Sequence, residues 1–155
     1  MATPRVDIQI KPFDGLSLRE LYACMKLRGE VFVVGQQICS EPDVDEDDPL
    51  CHHVMMWLGD ELVGTARLKP VGDGRVIKVG RVAVAGAYRG GGLGSSMMRA
   101  IQAWIGQVPG RSGAMSAQAQ LERWYGSLGW ISDSSVYMEA GIPHIQLLYP
   151  LKKPD

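Results

Sequence analysis

Apolar residues recur along the chain with two kinds of spacing, which together predict a mixture of strands and helices. The runs VDIQI, HHVMMWL, ELVGTARL, GAMSAQ and HIQLLYP have the short apolar and β-branched patterns that are typical of strands. LERWYGSLG predicts a short helix that ends at Gly129. Because strands dominate the middle of the chain and helices lie beside them, the expected class is α/β or α+β.

A capping signal predicts the start of the first helix. Ser17 and Glu20 form an S-x-x-E pair before LYACMKLRGEVF, so each side chain can accept a hydrogen bond from the other residue's backbone N–H. The apolar residues that fall near one face of this helix are Leu18, Leu21, Met25 and Val31 or Phe32. We expect that face to pack against the rest of the fold. A polar stretch, residues 36–49, follows the helix in the chain.

The middle of the chain predicts two consecutive hairpins. Gly59-Asp60 separates HHVMMWL from ELVGTARL, and the GDG turn at residues 72–74 leads into RVIKVGRVAVA. Counting from the GDG turn places Arg67 and Arg81 near each other on neighbouring strands. Like charges in that arrangement repel, so we expect an anionic partner, either a substrate carboxylate or the protein's own acids. Two exposed arginines on a sheet face are the alternative.

Length and composition predict a single domain, residues 1–155. The chain carries 16 Lys+Arg and 17 Asp+Glu, a formal net charge of -1, which argues against bulk attraction to nucleic acid or to an anionic membrane. Its cysteines, Cys24, Cys39 and Cys51, form no CxxC pair, which favours a reduced cytoplasmic setting. No apolar run approaches the length of a membrane span, and MATPRVDIQI lacks the apolar segment of a signal peptide.

The segment RVAVAGAYRGGGLGSSMM, residues 81–98, predicts a strand, a glycine loop and the start of a helix. Glycine inside an element costs roughly 0.5–1 kcal/mol relative to alanine, so this many glycines indicate a close approach of the backbone to a ligand. A helix N-terminus favours an anion, and a phosphate fits there. The Walker A pattern fails because Ser95 follows Gly94, and G-x-G-x-x-G fails as well. A turn without a ligand is the alternative. The helical stripe that follows is Met97, Met98, Ile101, Trp104 and Ile105.

The spacing R-x-x-G-x-G at Arg89, Gly92 and Gly94 resembles the acyl-CoA pyrophosphate loop of the GNAT N-acetyltransferase superfamily. AQAQLERWYGSLGW is similar to the second motif of that superfamily, with Tyr125 and Trp130 at its aromatic positions. LRGEVFVVGQ, DVDEDD, CHHVMMW, DELVGTARL, GRVAV and GIPHI extend the resemblance to the ElaA-like branch. The chain departs from that branch at Gly35, where the branch carries glutamate, so no role of that carboxylate is carried over.

The resemblance implies a mixed, mostly antiparallel sheet that splays apart around the arm of acetyl-CoA and is flanked by helices. The backbone of Val82, Ala83 and Val84 would pair with the pantetheine arm, and an N–H near Val84 would face the thioester oxygen. Tyr125 would contact the CoA and protonate the leaving thiolate, with an unreactive, half-buried aromatic as the alternative. The residues expected to hold the pyrophosphate are Arg89, Gly90, Gly91, Gly92, Leu93, Gly94 and Ser95.

The acceptor side is implied by the same resemblance. His53 and His144 match the ElaA-like pattern, and the ordinary imidazole suits base chemistry near neutral pH. His144 is expected to be catalytic beside Tyr125, while a structural hydrogen-bonding role is the alternative for each histidine. The residues expected to bind the acceptor are Arg28, Phe32, His53, Arg67, Arg81 and His144. The identity of the amine, the general base and the oligomeric state stay open.

The acidic residues between Glu41 and Asp48 were tested against a calcium loop. Asp43, Asp45 and Asp47 have the first EF-hand spacings, but Asp48 stands where glycine is required and Val54 where glutamate is required. CHH at residues 51–53 lacks a second ligand pair, so no metal is predicted. The acidic stretch is interpreted as a solvated loop, with attraction of a cationic amine as the alternative.

These patterns and the resemblance predict a GNAT-like α/β protein that transfers an acetyl group from acetyl-CoA to a primary amine, carried by a small molecule or a peptide. Nucleic acid and membranes are not expected as partners. A non-catalytic acyl-CoA-binding or interaction module is the alternative, and Gly35 is the feature that favours it. A nucleotide-binding protein without CoA is a third hypothesis.

Overall fold

The computed structural model describes residues 5–38 and 41–150, which form one mixed sheet with helices packed against it. The strands are β1 (Asp7–Pro12), β2 (His52–Leu58), β3 (Glu61–Val71), β4 (Val76–Val84), β5 (Ser112–Gln118), β6 (Ile131–Ser132), β7 (Tyr137–Glu139) and β8 (Ile142–Tyr149). The α-helices are α1 (Leu18–Arg28), α2 (Leu93–Gly106) and α3 (Glu122–Ser127). Among these helices, none is long and apolar enough to cross a membrane.

The sheet has the order β1-β2-β3-β4-β5-β8-β6, and β7 pairs with β8 outside this path. Only the β4–β5 pair among these strands is parallel, and α2 makes the crossover between them. A parallel pair needs such a crossover, whereas the antiparallel neighbours β2–β3 and β3–β4 are joined by the two predicted tight turns. The expected mixed, mostly antiparallel sheet is confirmed.

The capping box that was predicted for α1 is present, but the buried face of the helix differs from the prediction. Ser17 Oγ accepts from the Glu20 N–H at 3.0 Å, and Glu20 Oε1 accepts from the Ser17 N–H at 2.8 Å. Leu18 is 87% exposed, so its predicted place on the packed face is wrong. The buried residues are Cys24, Leu27 and Arg28, and the helix continues as a π-helical segment, Gly29–Gly35. The apolar pattern missed this face because one of its three buried residues is charged.

Two hydrophobic clusters place α1 and α2 on opposite faces of the sheet. Ala83 belongs to a small cluster with Leu27 and Val31, whereas its neighbours Val82 and Val84 pack against the main core. Successive side chains of a strand point to opposite faces, so α1 covers one face and the main core lies on the other. In α2 the predicted stripe is confirmed, with Met97, Met98, Ile101 and Ile105 buried and Trp104 partly buried.

The sheet splits between β4 and β5. The two strands pair only from Val76 to Val79 and from Ser112 to Met115. Beyond these residues β4 stays paired with β3, while β5 stays paired with β8. The predicted splay of the sheet is therefore confirmed, and it leaves two inner strand edges facing each other.

Candidate active site

A cleft of about 370 Å³ occupies the split between β4 and β5. Its walls include Gly80, Arg81 and Val82 from β4, and Ser116 and Gln118 from β5. Gln118 also donates from Nε2 to Gln36 Oε1 at 3.1 Å, which links β5 to the segment that follows the π-helical turn. The cleft thus lies where an extended molecule can enter between two strand edges.

A β-bulge aims the edge of β4 toward this cleft. Thr65 pairs with Ala83 but Arg67 pairs with Gly80, so Arg81 and Val82 oppose the single residue Ala66. Arg81 adopts φ +50°, which is uncommon for a residue with a side chain. The bulge offsets β4 at the point where its pairing with β5 ends.

The backbone of Val84 points away from β3. Ala85 N–H donates to the Val63 carbonyl at 2.8 Å, and Thr65 pairs with Ala83. Because alternate residues of a strand direct their polar groups to opposite sides, the Val84 N–H and C=O are directed toward the β5 side. Arg89 Nε donates to this carbonyl at 3.1 Å and so ties the end of β4 to the glycine loop.

The glycine loop, residues 89–95, forms the N-terminal end of α2. Gly90 and Gly92 both adopt φ +83°, which glycine reaches without strain. The first-turn N–H groups of Leu93, Gly94 and Ser95 have no acceptor inside the helix, and the helix dipole makes this end attractive to an anion. A Cβ built at Gly92 would meet open space, so the loop has room for a phosphate group. The geometry of the loop therefore suits an anionic group such as a phosphate.

Tyr125 brings a buried phenol into the cleft from α3. Its residue surface is 5% exposed, and Trp124 packs edge-on against its ring at a centroid distance of 4.7 Å. Burial raises the pKa of Tyr125 to about 12, so the phenol stays protonated at neutral pH. Within residues 5–38 and 41–150, no partner accepts a hydrogen bond from this phenol, which leaves its proton available.

The acidic loop, residues 41–48, folds back onto three arginines, contrary to its interpretation as a solvated loop. Arg67 holds Asp45 in a two-pronged ion pair, at 2.7 Å from Nη1 to Oδ1 and 2.9 Å from Nη2 to Oδ2. Arg81 Nε lies 3.2 Å from Asp43 Oδ1, but the orientation makes no hydrogen bond, so this contact is coulombic. The expected anionic partner of Arg67 and Arg81 is therefore supplied by the protein's own acids.

Arg28, at the end of α1, binds the same acidic loop. Its Nη1 donates to Asp48 Oδ1 at 2.7 Å, and its Nε donates to Asp43 Oδ2 at 3.1 Å. The residue is 1% exposed and lies outside the cleft lining, so its guanidinium is not open to an acceptor in this arrangement. Burial by itself would raise the pKa of Asp48, but the hydrogen bonds and charges of Arg28 and Arg67 outweigh it and lower that pKa. The hydrogen bond from Arg67 likewise holds the pKa of Asp45 well below its usual range.

The two candidate histidines have different surroundings. His53 is 1% exposed, and its Nε2 lies 2.9 Å from the Asp48 carbonyl oxygen. Burial lowers the pKa of His53, and the ring lies beneath the acidic loop rather than in the cleft lining. His144 lines the cleft, with Nδ1 at 2.7 Å from the Ile142 carbonyl oxygen and Nε2 at 3.4 Å from Glu139 Oε2.

Comparison with known proteins identifies the family. The family model described as "Acetyltransferase (GNAT) family" matches residues 21–130. This chain belongs to the GNAT acetyltransferase family. It is therefore an acyltransferase, and the enzymes of this family use acyl-CoA donors and amine acceptors.

Two relatives, one of them compared by both sequence and structure, match most of this chain. Protein ElaA of Escherichia coli strain K12 is 40% identical over 134 residues, which cover 84% of this chain and 87% of that protein. The crystal structure of Escherichia coli ElaA aligns with a TM-score of 0.86 at 35% identity, covering 94% of this chain and all of that one. An acyl-CoA N-acyltransferase from Pseudomonas aeruginosa aligns with a TM-score of 0.85 at 39% identity, with the same coverage. The resemblance to the ElaA-like branch is confirmed.

The structure brings only part of the predicted GNAT site together. The predicted residues that line the cleft are Phe32, Arg67, Arg81, Val82, Tyr125 and His144. Arg28 and His53 lie beneath the acidic loop, and the glycine loop lies beyond the end of β4. No group of three or more potential metal ligands occurs among the described residues.

Sequence reasoning missed three polar residues that line the cleft and a tyrosine that is hydrogen-bonded to them. Ser116, Tyr137, Glu139 and Gln146 form a hydrogen-bonded cluster beside His144. The available signal was the period-two placement of Ser116 and Gln118 on β5, and of His144 and Gln146 on β8, which predicts one polar face on otherwise apolar strands.

Proposed function

We propose that this GNAT protein transfers an acetyl group from acetyl-CoA directly to a primary amine, with Tyr125 as the general acid. The observation that carries the proposal is a split sheet that opens between a buried phenol and the free backbone edge of β4. The features involved are the split between β4 and β5, the outward-directed N–H of Val84, and the protonated phenol of Tyr125.

The donor would be held at two places. The first-turn amides of α2 and the glycine loop would bind the pyrophosphate, while the open edge of β4 would pair with the pantetheine arm as an added strand does. Under this proposal the Val84 N–H stabilises the oxygen of the tetrahedral intermediate, because a backbone donor on a fixed strand needs no reorganisation.

In the transfer step, the neutral amine nitrogen attacks the thioester carbon. The carbon–nitrogen bond forms, the carbon–sulfur bond breaks, and Tyr125 gives its proton to the departing thiolate. The phenol is restored by a proton that the acylated nitrogen loses. Phe32, Arg67, Arg81 and His144 line the side of the cleft where we place the acceptor.

The setting of the enzyme is part of the proposal. Cys24 and Cys51 are free, buried thiols, and burial raises the pKa of the Cys51 thiol to about 11. Unpaired thiols of this kind support a reducing compartment such as the cytoplasm, and we treat residues 1–155 as one domain.

Release of CoA thiol tests the function. The protein is mixed with acetyl-CoA and one amine at a time, namely 1-aminopentane, spermidine, lysine or a short peptide with a free N-terminus. Acceptor-dependent thiol release, with the acetylated amine found by mass spectrometry, is the expected result. Tight CoA binding without thiol release for any amine would favour the non-catalytic module, and equal binding of ATP or NAD would favour a nucleotide-binding protein.

A further inference from the structure

We propose that Glu139 and His144 form a paired proton-accepting site that selects a cationic primary amine as the acceptor. This inference rests on the proposed function and names the class of its substrate. The hydrogen-bonding roles of two facing side-chain atoms carry it.

The first observation is the tautomer of His144. Its Nδ1 lies 2.7 Å from the carbonyl oxygen of Ile142, and a carbonyl oxygen can only accept a hydrogen bond. Nδ1 therefore carries a hydrogen, and in the neutral ring the lone pair is on Nε2. That nitrogen is the one that faces Glu139.

The second observation is that the atom opposite Nε2 is also an acceptor. Glu139 Oε2 lies 3.4 Å from Nε2, and an ionised carboxylate donates nothing. Among the described residues, Glu139 supplies the only carboxylate oxygen within 4 Å of a ring nitrogen of His144. When the ring is neutral these two facing atoms are both acceptors, so the pair can take up a proton on Nε2 or accept N–H groups from a ligand. An alkylammonium group fits because it has three N–H donors and a positive charge.

The third observation is that the pair is held in place. Ala140 and Gly141, at φ +51° and +75°, form the two-residue turn between β7 and β8, which fixes the register of Glu139 against Ile142. Ser116 Oγ donates to Glu139 Oε2 at 3.2 Å, and Tyr137 stacks on His144 at a ring distance of 6.4 Å. Both partners are therefore oriented before a substrate binds.

The charges of the cleft fit the same acceptor class. Arg67 and Arg81 are engaged by Asp43 and Asp45, so neither guanidinium is free to bind a substrate carboxylate. The side chain of Glu139 is 48% exposed, which leaves its charge open to the cleft. Of the three charged side chains Arg67, Arg81 and Glu139, Glu139 is the one left open to the acceptor, which fits an ammonium group.

The pair completes the proton balance of the transfer. The bound ammonium gives one proton to His144 Nε2, and the imidazolium that forms faces the Glu139 carboxylate. The neutral nitrogen then attacks, and Tyr125 protonates the thiolate as described above. The second proton of the nitrogen restores the phenol, and the imidazolium releases the first proton to solvent. The net products are the N-acetylated amine, CoA thiol and one proton.

The test compares a charged and an uncharged acceptor at pH 7. 1-Aminopentane is an ammonium ion at this pH, whereas methoxyamine is neutral and needs no base to remove a first proton. We expect E139Q to lower kcat/KM for 1-aminopentane by at least about tenfold, mainly through KM, and H144Q to lower its kcat by about 10²-fold. Methoxyamine should react with both variants within about threefold of the wild-type rate.

Asp73→Asn is the matched control for the loss of one carboxylate. Asp73 lies in the exposed turn before β4, and asparagine tolerates its φ of +58°. This variant should acetylate both amines as the wild type does. Equal losses for the two amines in E139Q and H144Q would indicate a structural role and overturn the proposal.

A binding measurement separates this inference from the proposed function. In the CoA-bound protein, 1-aminopentane should shift the ring NMR signals of His144, and E139Q should weaken that binding by at least about tenfold. If methoxyamine is acetylated but 1-aminopentane does not shift the His144 signals, the protein is an acetyltransferase and the proposed Glu139–His144 pair is overturned. If 1-aminopentane shifts the His144 signals but neither amine is acetylated, the pair is supported and the catalytic function is contradicted.

Discussion

At the scale of single residues, Tyr125 links burial to chemistry. Burial raises its pKa to about 12, so the phenol carries a proton at neutral pH and can donate a hydrogen bond. The ring and the hydroxyl group therefore have separable roles, one in packing and one in proton transfer.

Tyr125→Phe should separate these two roles. The ring stays, so CoA affinity is expected to change by less than about threefold, while the rate of single-turnover acetyl transfer falls by ~10²–10⁴-fold. Tyr22→Phe removes a hydroxyl from a residue that is 70% exposed, and it should leave both quantities unchanged. Wild-type transfer by the Tyr125 variant would mean that the thiolate takes its proton from another group.

Arg28 is a single buried side chain that binds several groups of the acidic loop. It is buried with two carboxylates, and a lone buried charge is far more costly than a neutral group. Arg28→Met leaves Asp43 and Asp48 without their partner, so we expect a loss of about 3–5 kcal/mol in the free energy of unfolding by urea. Lys11→Met breaks the more exposed pair with Glu20 and should cost no more than about 1 kcal/mol. Equal losses of unfolding free energy in the two variants would show that the ion pairs of Arg28 stabilise the protein no more than a surface pair does.

At the scale of elements, the start of α2 shows how much of the site follows from the sequence. The glycine loop, the capping box, the hairpins and the stripe of α2 are local features, so spacing alone predicted them. The docking of the acidic loop joins Asp45 to Arg67 across 22 positions, and no local pattern carries that information. Glu139 was missed for the same reason, because its partners Ser116 and His144 are set by strand pairing.

Gly94 tests the element that would hold the cofactor. A Cβ at this position would lie 3.5 Å from Trp124 and 3.8 Å from Val84 Cγ2, so a valine side chain would fill the gap beside the end of β4. Gly94→Val should weaken CoA binding by at least about tenfold, or ~1.4 kcal/mol, in calorimetric titration. Gly106→Val makes the same change at the other end of α2, where the space is open, and should not affect CoA affinity. Unchanged affinity in a folded Gly94 variant would identify the loop as a turn only.

At the scale of the whole molecule, the acidic loop is connected to α1, β3 and β4 through Arg28, Arg67 and Arg81. Asp45 and Asp48 have lowered pKa values in the folded state, so their contribution to stability is complete above the unfolded value and is lost as the pH falls. His53 also has a lowered pKa, and its unfolded form binds a proton below about pH 6.5 while the buried ring resists it. Both effects act in the same direction.

We therefore expect stability to fall in two stages as the pH is lowered. Urea titrations between pH 8 and pH 3 should show a first decrease below about pH 6.5 and a steeper one below about pH 4. His53→Asn should reduce the first stage, to which His52 also contributes because burial lowers its pKa, and Asp45→Asn should reduce the second while lowering stability at neutral pH. A stability that is constant from pH 8 to pH 3 would contradict this account.

The split sheet also relates the interior of the protein to its choice of donor. α2 packs against β3, β4 and β5, and its side chains Met97, Met98 and Ile101 are fully buried. Because protein interiors are close-packed, a change in the volume of this stripe would alter the angle between the two halves of the sheet. Evolution can adjust that angle by exchanging one core residue for another of slightly different size. The fit of an acyl donor to the split between β4 and β5 would then depend in part on buried residues that do not contact the donor.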